Sequence, residues 1–230
     1  MVNKRQILVY GAGGHGKVVA DILISKGESE FAGFVDDREQ LWGTRIMGFP
    51  VLGDGQWLRN ETLHSRVAVA LGVGANESRH QIAERCSRSE IEILTVVHPA
   101  AVISRAARLG RGAVVMAGAI INPDATVGVG AIVNSGAVIE HEAQIGEYSH
   151  VSPKAAMAGA SRLGSFAHLG LGAVVLQSIC IGSYTIVGAG AVVAKNLPDQ
   201  VVAIGVPARI HRRLGDEGVR NTAQGERIVA

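Results

Sequence analysis

The sequence is short of aromatic residues and of charge for its length of 230 residues. Only two Trp, three Tyr and four Phe are available, so its core must be built from Val, Ile, Leu and Ala, which favours a narrow, repetitive interior. Charged residues make up 18% against 47% hydrophobic ones, which excludes a disordered chain. A formal net charge of +2 gives no general electrostatic case for nucleic acid or an anionic membrane.

Long apolar runs and paired cysteines are missing as well. The apolar run Val67–Leu71 is far shorter than a membrane span, and the N-terminus lacks the basic-then-apolar pattern of a signal peptide. Cys86 and Cys180 form no evident disulfide framework or metal-ligand spacing. From these features we expect a protein of the reducing cytoplasm.

Glycine is abundant instead, and the second half of the chain repeats with a period of six. Every sixth residue from Ile103 to Val193 is aliphatic or Met, and the residue four positions later is almost always Ala, Ser or Thr. A period of six does not match an α-helix, whose period is about 3.6. A coarser period of 18 is marked by Leu109-Gly110, Val127-Gly128, Ile145-Gly146, Leu163-Gly164 and Ile181-Gly182. Three hexapeptides per coil predict a triangular parallel β-helix of about five coils.

The position after each repeated aliphatic residue is rich in Gly and Asn. We interpret these residues, Gly110 among them, as corner residues with positive φ. The packed interior leaves no room for a ligand, so any chemistry must lie on the outside. Open ends would expose strand edges, so we expect the N-terminal domain to cap one end and the segment after Pro198 to cap the other.

The first half reads as a small parallel α/β domain. Strands are predicted at Gln6–Tyr10, Phe31–Val35, Val67–Leu71 and Ile91–Val97, and helices at Lys17–Ser25 and Glu77–Cys86. A composition change at His98-Pro99 marks the boundary, since residues 1–97 hold 23 charged side chains and residues 98–210 hold 12. The predicted organisation is a Rossmann-like domain over 1–97, a β-helix domain over 98–210 and a C-terminal tail over 211–230.

A glycine-rich turn follows the first strand. Gly11-x-Gly13-x-x-Gly16, with Asp36 twenty residues after Gly16, satisfies the dinucleotide fingerprint. Glycines let backbone N–H groups approach a pyrophosphate, the helix N-terminus favours its charge, and the acid accepts from a ribose or base. Residues 1–97 supply only half of a full dinucleotide fold, so the turn predicts a nucleoside diphosphate rather than NAD. The other interpretation is a tight turn that binds nothing.

Several motifs together resemble one family. They are GAGGHGK at 11–17, FVDD at 34–37, His98-Pro99, VIEHE at 138–142 and GVPAR at 205–209, besides the hexapeptide repeat. These resemble, over nearly the whole chain, the bacterial nucleotide-amino-sugar acetyltransferases of bacillosamine and perosamine synthesis. The resemblance implies a left-handed β-helix, a homotrimer with sites between subunits, acetyl-CoA as co-substrate, and no permanently bound cofactor or metal.

Site residues follow from the same resemblance. It implies catalytic roles for His141 and Glu142, substrate contacts from Gly13, Gly14, His15, Asp36, Asp37 and Gly72, and acetyl-CoA contacts from His150, Gly159, Leu171 and Ala189. The residues support His141 independently, because it shares its repeat phase with Pro123 and Pro153, which indicates an outward corner. A neutral imidazole there can take a proton from an attacking amine, and Glu142 can hold its other ring nitrogen.

Structural alternatives remain for each of these residues. The alternative for His141 and Glu142 is an exposed, solvated pair without a catalytic role. The alternative for His15 is a helix cap. His150 and His168, 18 residues apart, are otherwise a plain surface pair, since a zinc site would need a third histidine on that face. Ser135, Pro153, Leu171 and Ala189 form a smooth column suited to a pantetheine arm or to packing between subunits. Outward Leu171, Leu176 and Ile179 favour such packing.

Three functions follow. The first is N-acetylation of the 4-amino group of a UDP-, GDP- or dTDP-linked 4-amino-4,6-dideoxy sugar, by direct transfer with a histidine base, since neither Cys nor Ser stands in a nucleophile context. The second is O-acetylation of the sialic-acid or capsule type on the same scaffold. The third is a non-catalytic partner that binds a nucleotide sugar. The choice of nucleotide stays open, because all three present the same pyrophosphate.

Overall fold

A computed structural model describes residues 6–27, 30–59 and 67–215. The N-terminal part is a four-stranded parallel sheet in the order β2-β1-β5-β6. Its strands are β1 (Gln6–Tyr10), β2 (Phe31–Val35), β5 (Val67–Leu71) and β6 (Glu92–Ile93). The first three match their predicted bounds. β1, β2 and β5 are mostly apolar and almost entirely buried, as strands covered on both faces require.

Two helices flank this sheet. They are α1 (Gly14–Ser25) and α2 (Asn76–Arg88), each beginning earlier than predicted. Two short 3₁₀ helices (Glu39–Leu41 and Trp57–Arg59) and an antiparallel pair, β3 (Arg45–Ile46) with β4 (Phe49–Pro50), fill the connections. No described helix is long and apolar enough to span a membrane.

The second part is a parallel β-helix with three faces, confirming the hexapeptide prediction. Strands pair with the strand 18 residues further on, as in Val114↔Ile132, except at the last coil of one face, where the step is 16, as in Ile186↔Val202. The covered face holds β7 (Val96–Val97), β10 (Val114–Val115), β13 (Ile132–Val133), β16 (His150–Val151), β19 (His168–Leu169), β22 (Ile186–Val187), β24 (Val201–Ile204) and β25 (Arg209–Arg213). The apolar face holds β8 (Val102–Ile103), β11 (Ile120–Ile121), β14 (Val138–Ile139), β17 (Ala156–Met157), β20 (Val174–Val175) and β23 (Val192–Val193). The polar face holds β9 (Arg108–Leu109), β12 (Thr126–Val127), β15 (Gln144–Ile145), β18 (Arg162–Leu163) and β21 (Cys180–Ile181).

The predicted strand Ile91–Val97 is two strands. Val96–Val97 pairs with Val114–Val115 and opens the covered face, so the chain passes into the repeat before His98. The apolar face has six strands, so the β-helix has about six coils rather than the five predicted.

The inward column of the repeat forms one continuous core of aliphatic residues and small residues, as in Val133, Ile139 and Ala137. The outward residues of the three faces differ. The covered face turns Val114 and Ile132 toward the N-terminal domain, where they pack with α1. The apolar face turns out only Val, Ile and Ala, with Val102 64% and Ile120 37% exposed. The polar face turns out Arg108, Thr126, Gln144, Arg162 and Cys180.

The glycines after the repeated aliphatic residues do not have the predicted role. Positive φ recurs every sixth residue, but at the phase of Gly112, Gly118, Asp124, Gly130, Gly136 and Glu142. Gly110, Gly128 and Gly146 have no positive φ, and a Cβ at Gly146 would lie 2.5 Å from the Ser165 amide nitrogen. The prediction was wrong because these glycines serve close stacking of successive coils.

The N-terminal domain lies against the side of the β-helix and does not cap its end as predicted. The reason is the outward apolar residues of the covered face, which it buries. The C-terminal end is capped as predicted, because Ala208 packs on the core and β24 pairs antiparallel with β25. The predicted tail begins inside β25, and its residues 216–230 lie outside the described residues.

Arg79 of α2 fastens the two parts together. Its side chain is fully buried and donates to the carbonyl oxygens of Gly130 (2.6 Å), Tyr148 (2.7 Å) and Gly74 (2.8 Å). Burial lowers the pKa of its guanidinium to about 9. Since buried carbonyls need donors, Arg79 satisfies groups of the β-helix and of the loop after β5 at the same time.

Candidate active site

A cleft opens where β1, β2 and β5 end. Its volume is about 400 Å³. Ligands in open parallel sheets bind outside the carboxyl ends of the strands, which is where this cleft lies. The six predicted substrate residues all line it: Gly13, Gly14, His15, Asp36, Asp37 and Gly72. The structure therefore brings the predicted nucleotide-sugar residues together.

The glycines of the turn divide into two kinds. A Cβ at Gly11 would lie 2.7 Å from the Gly72 carbonyl oxygen, and one at Gly72 would lie 2.5 Å from a methyl group of Val9. Close packing requires these two glycines, as it requires Gly16 against Gly11, and the φ of +111° at Gly11 requires a glycine there as well. Gly14 has nothing within 4 Å of a built Cβ, and Gly13 only the Arg38 guanidinium at 3.7 Å. Packing does not explain Gly13 and Gly14, so the tight-turn interpretation covers only part of the motif.

The Asp36 carboxylate already accepts hydrogen bonds from other groups of the protein. One oxygen accepts from the Ala12 amide at 2.7 Å and from Arg38 Nη2 at 2.8 Å, while the other accepts from Arg38 Nε at 2.8 Å. Burial raises the pKa of this carboxyl, but these hydrogen bonds outweigh it, so the pKa lies below its usual value. Asp36 thus shapes the turn and fixes Arg38, and the predicted acceptance from a ribose or base would compete with these bonds.

Asp37 is more accessible, with 48% of its side chain exposed. It accepts from the Tyr10 hydroxyl at 2.5 Å and from Arg85 Nη2 at 2.8 Å. Burial opposes ionisation, but these donors outweigh it and lower the pKa of the Asp37 carboxyl. Two ion pairs, Asp36 with Arg38 and Asp37 with Arg85, therefore border the cleft.

Three imidazoles meet behind the glycine turn. The rings of His150 and His168 stack at 4.8 Å, and the ring of His15 lies 6.2 Å from that of His150. Among the described residues, His15 Nε2 is buried with no hydrogen-bond partner, and no side chain caps the N-terminus of α1. Burial, helped by Arg79, lowers the pKa of His15 to about 4.

Burial also lowers the pKa of both His150 and His168, and His168 depresses that of His150 further. Asn134 Nδ2 lies 3.0 Å from His150 Nε2, and Ser152 Oγ lies 2.8 Å from His168 Nε2. The surface-pair alternative is wrong, because these histidines lie beneath the N-terminal domain. His150 therefore lies next to His15 of the glycine turn, and not next to the other expected acetyl-CoA residues.

His141 and Glu142 occupy the corner between the apolar and polar faces, here called the His141 corner. His141 Nδ1 lies 3.2 Å from Glu142 Oε2, with 55% and 66% of the two side chains exposed. Glu142 has φ of 60° at this corner, and its amide donates to Pro123 O at 3.0 Å. The imidazole lies directly over Gly159, where a Cβ would be 2.5 Å from its Cε1. Glu142 thus contacts Nδ1 of the His141 ring, which leaves Nε2 for contact with a substrate.

The expected acetyl-CoA residues lie in three places within one chain. Gly159 is in the His141 corner, and His150 is on the covered face. Leu171 and Ala189 are in the corner between the covered and apolar faces, here called the Leu171 corner, with Ser135 and Pro153. Leu171 is 58% exposed. One chain therefore does not bring these residues together.

Sequence reasoning missed the arginines of the cleft and junction. Arg38 directly follows Asp36-Asp37, which is a usable signal for an ion pair. Arg79 shares a helical face with the buried residues Ile82, Ala83 and Cys86, and a cation in an apolar stripe indicates a buried charge. Arg85 has no comparable signal, because its partner Asp37 is distant in sequence. Within the described residues, no group of three or more His, Cys, Asp or Glu side chains could hold a metal ion.

Comparisons with known proteins agree with this architecture. A family model described as the PglD N-terminal domain matches residues 6–86. UDP-N-acetylbacillosamine N-acetyltransferase of Bacillus subtilis is 37% identical over 121 residues, which are 49% of this chain and 52% of that protein. The match thus spans about half the length of that relative.

Two solved structures match almost throughout. PerB from Caulobacter crescentus, in complex with CoA and GDP-perosamine, superposes with a TM-score of 0.84 at 38% identity, over 90% of this chain and 97% of PerB. The acetyltransferase domain of PglB from Neisseria gonorrhoeae, in complex with acetyl coenzyme A, has a TM-score of 0.84 at 34% identity, over 90% of this chain and 99% of that domain. These likenesses confirm the fold class, an α/β domain followed by a left-handed parallel β-helix. With that extent of identity and coverage, the chain belongs to the bacterial nucleotide-sugar acetyltransferases of the left-handed β-helix, hexapeptide-repeat class.

Proposed function

We propose that this protein is an acetyl-CoA-dependent N-acetyltransferase of the 4-amino group of a nucleotide-linked 4-amino-4,6-dideoxy sugar. One observation carries the proposal: a single chain combines a glycine-turn cleft suited to a nucleoside diphosphate with an exposed histidine–carboxylate pair on a β-helix. PerB is in complex with CoA and GDP-perosamine, the PglB domain is in complex with acetyl coenzyme A, and the Bacillus subtilis relative is a UDP-N-acetylbacillosamine N-acetyltransferase, which supports the same pairing of substrates here.

The reaction needs a base and two aligned substrates. The sugar amine attacks the thioester carbonyl, and Nε2 of His141 takes the amine proton as the C–N bond forms. Glu142 accepts from Nδ1, which orients the ring and stabilises the imidazolium. The tetrahedral intermediate then expels CoA as its C–S bond breaks, and the imidazolium returns the proton to the thiolate. No acyl-enzyme is required.

The cleft holds the nucleotide part of the substrate. The amides of Gly13 and Gly14, at the start of α1, can donate to a pyrophosphate, and the helix dipole favours that charge. Arg38, fixed by Asp36, adds a cation at the mouth of the cleft. Asp37 can exchange its bond with Arg85 or Tyr10 for one with the ligand, since it is partly exposed.

The base and the cleft of one chain lie on different sides of the β-helix. The N-terminal domain covers one face, whereas the His141 corner joins the other two faces. The uncovered apolar face, from Val102 and Ile120 to Val192, supplies a surface for association with identical chains. We infer a homotrimer in which the His141 corner of one subunit faces the cleft of its neighbour. Closed symmetric association of this kind leaves no unpaired copy of the surface.

Activity is tested with acetyl-CoA and a panel of UDP-, GDP- and dTDP-linked 4-amino-4,6-dideoxy sugars, with matched 4-hydroxy sugars. Release of CoA thiol with an acetamide product is expected from at least one amine and none of the hydroxyl compounds. His141→Ala should lower kcat/KM by about 10²–10⁴-fold while nucleotide-sugar binding is retained. Absence of turnover with every amine, or acetyl transfer to the hydroxyl sugars, contradicts the proposal.

The composite site is tested by complementation. An Asp37→Ala/Gly14→Leu chain has a damaged cleft but an intact base, and His141→Ala has the reverse. Co-expression and purification of mixed assemblies should restore measurable turnover that neither variant shows alone. Mixed assemblies as inactive as the separate variants would place both halves of the site in one chain.

A further inference from the structure

We propose that the N-terminal end of the β-helix is a docking surface for a membrane that carries anionic lipids. This end, here called the open end, is formed by the first coil, residues 96–113. The inference goes beyond the proposed function and does not depend on it. None of the site residues assigned above lies in this coil, so its surface has no other role so far.

The first support is an exposed cross-section of the aliphatic core. In the inner coils the inward residues are sealed, and Ile121 and Ile139 are 1% and 0% exposed. The corresponding residue of the first coil, Ile103, is only partly buried, as are Val97 and Leu109 on the other two faces. Within the described ranges, the open end therefore presents core side chains to solvent, whereas the C-terminal end is capped.

A cavity enlarges this apolar surface. Its volume is about 610 Å³, and it is lined by Pro99, Ala101 and Ile103 together with Ser25 and Lys26 at the C-terminal end of α1. A contiguous exposed apolar surface is typical of a site that contacts a further molecule. The cavity gives apolar groups of that molecule, such as lipid acyl chains, space next to the core.

The second support is a local excess of positive charge around the open end. Between Glu92 and Asp124 the chain has no Asp or Glu, whereas Arg105, Arg108 and Arg111 lie there and are all exposed. Within the described ranges, no hydrogen bond or ion pair engages the side chains of Arg105 and Arg108. The small net charge of the whole chain hides this local excess. An apolar patch with a basic rim is the pattern that binds an anionic lipid surface.

Charge also decides between the possible occupants. A second copy would place an identical basic rim against this one, and the two rims would repel each other. Residues 1–5 lie outside the described residues, and their sequence includes Lys4 and Arg5 and no acid, so their charge has the same sign as the rim. The occupant must therefore be anionic. Because the open end is the triangular edge of β7, β8 and β9 rather than a groove for one peptide, it favours the surface of a bilayer.

Docking at the open end leaves the proposed active site in water. Arg105 and His141 lie in the same corner column, two coil steps apart, which is about 10 Å along the β-helix axis. The glycine turn of the cleft lies beside His150, in the same coil as His141. A lipid surface at the first coil would therefore leave both His141 and the cleft accessible.

The test measures binding of the full chain to vesicles of equal parts phosphatidylglycerol and phosphatidylcholine, and to vesicles of phosphatidylcholine alone. The unmodified protein should bind the anionic vesicles, less tightly as salt is added, with the negative heat-capacity change of apolar burial. Arg108→Gln should weaken this binding about fivefold and Arg105→Gln/Arg108→Gln about 25-fold.

The matched control is Arg162→Gln/Arg213→Gln, which removes the same charge from exposed positions away from the open end. Arg162 lies on the same face as Arg108, three coil steps or about 14 Å further along the axis, which exceeds the screening length at physiological salt. This control should bind the anionic vesicles as the unmodified protein does. The midpoint of denaturant unfolding should be the same in all variants.

Several outcomes would overturn the proposal. They are no binding to the anionic vesicles, equal binding to both kinds of vesicle, and an equal loss in the control. Binding to poly-L-glutamate but not to the vesicles would assign the open end to an acidic protein instead. Larger assemblies of Arg105→Gln/Arg108→Gln, with no vesicle binding by the unmodified protein, would show that the arginines only keep strand edges of separate copies apart.

Discussion

The two parts of this protein build functional surfaces in opposite ways. The cleft is held by charged groups that meet from distant parts of the chain, as Asp37 and Arg85 do. The β-helix instead holds His141 and Glu142 by its repeat, since neighbours in space stand 18 residues apart, as Gly159 beneath His141 does. In the β-helix, the neighbours of a residue can therefore be found by counting along the sequence. In the α/β domain, they depend on the tertiary fold. Mutations in the α/β domain should therefore act mainly by removing charged partners, and mutations in the β-helix mainly by disturbing the spacing between coils.

The largest effect should come from the charge that joins the two parts. Arg79→Met leaves several buried carbonyl oxygens without donors, so the free energy of unfolding should fall by about 3–5 kcal/mol. Denaturant unfolding measures it. Arg162→Met on the exposed polar face is the control, with a change within about 0.5 kcal/mol. Equal stability of the two variants would show that the junction does not depend on Arg79.

A stacking glycine should be the next most sensitive position. Gly146→Ala places a Cβ against the backbone of the next coil at Ser165, so we expect a loss of about 2–3 kcal/mol by overpacking. Gly172→Ala is the comparison, since Gly172 has φ of +66° and nothing within 4 Å of a built Cβ. It should lose about 1 kcal/mol. A larger loss at Gly172 would mean that corner conformation outweighs coil spacing.

Replacing the carboxylates of the cleft should weaken the binding of one ligand only. Asp36→Ala releases Arg38 and the Ala12 amide, and Asp37→Ala removes an accessible acceptor, so each should weaken nucleotide-sugar binding about ten- to hundredfold. Acetyl-CoA binding should stay nearly unchanged, as calorimetric titration of both ligands can measure. Parallel loss of acetyl-CoA affinity would show that the two ligands are assigned to the wrong parts of the chain.

The smallest effect should be a pH dependence of stability that arises from the three buried histidines between the α/β domain and the β-helix. His15, His150 and His168 have pKa values lowered by burial, that of His15 to about 4, so between pH 6.5 and 4 the unfolded chain binds protons that the folded chain does not. Stability then falls as pH falls through this window. From pH 7 to 5 we expect a loss of about 1–2 kcal/mol, reduced in His168→Gln. A loss that is unchanged in His168→Gln would place its origin elsewhere.

Much of the architecture followed from the order of residues alone. The period of six and the coarser period of 18 determined the three-faced β-helix, its inward column and the outward corner of His141, because a repeat specifies the neighbours of every residue by count. The strand bounds of β1, β2 and β5 followed from apolar runs that end in glycine or aspartate. The glycine turn and Asp36 were predicted to share a site because the dinucleotide fingerprint pairs such a turn with an acid about twenty residues further on, and the family resemblance added Asp37.

Tertiary structure decided the rest. The sequence did not indicate that Asp36 would be consumed by Arg38 and the Ala12 amide, that Arg79 would bind carbonyls of three separate segments, or that the α/β domain would cover a face of the β-helix rather than its end. The pairing of His150 with His15 and the separation of the cleft from His141 were equally hidden. Each depends on how two domains dock, and docking is set by the shape and polarity of whole surfaces, which no local period or spacing records.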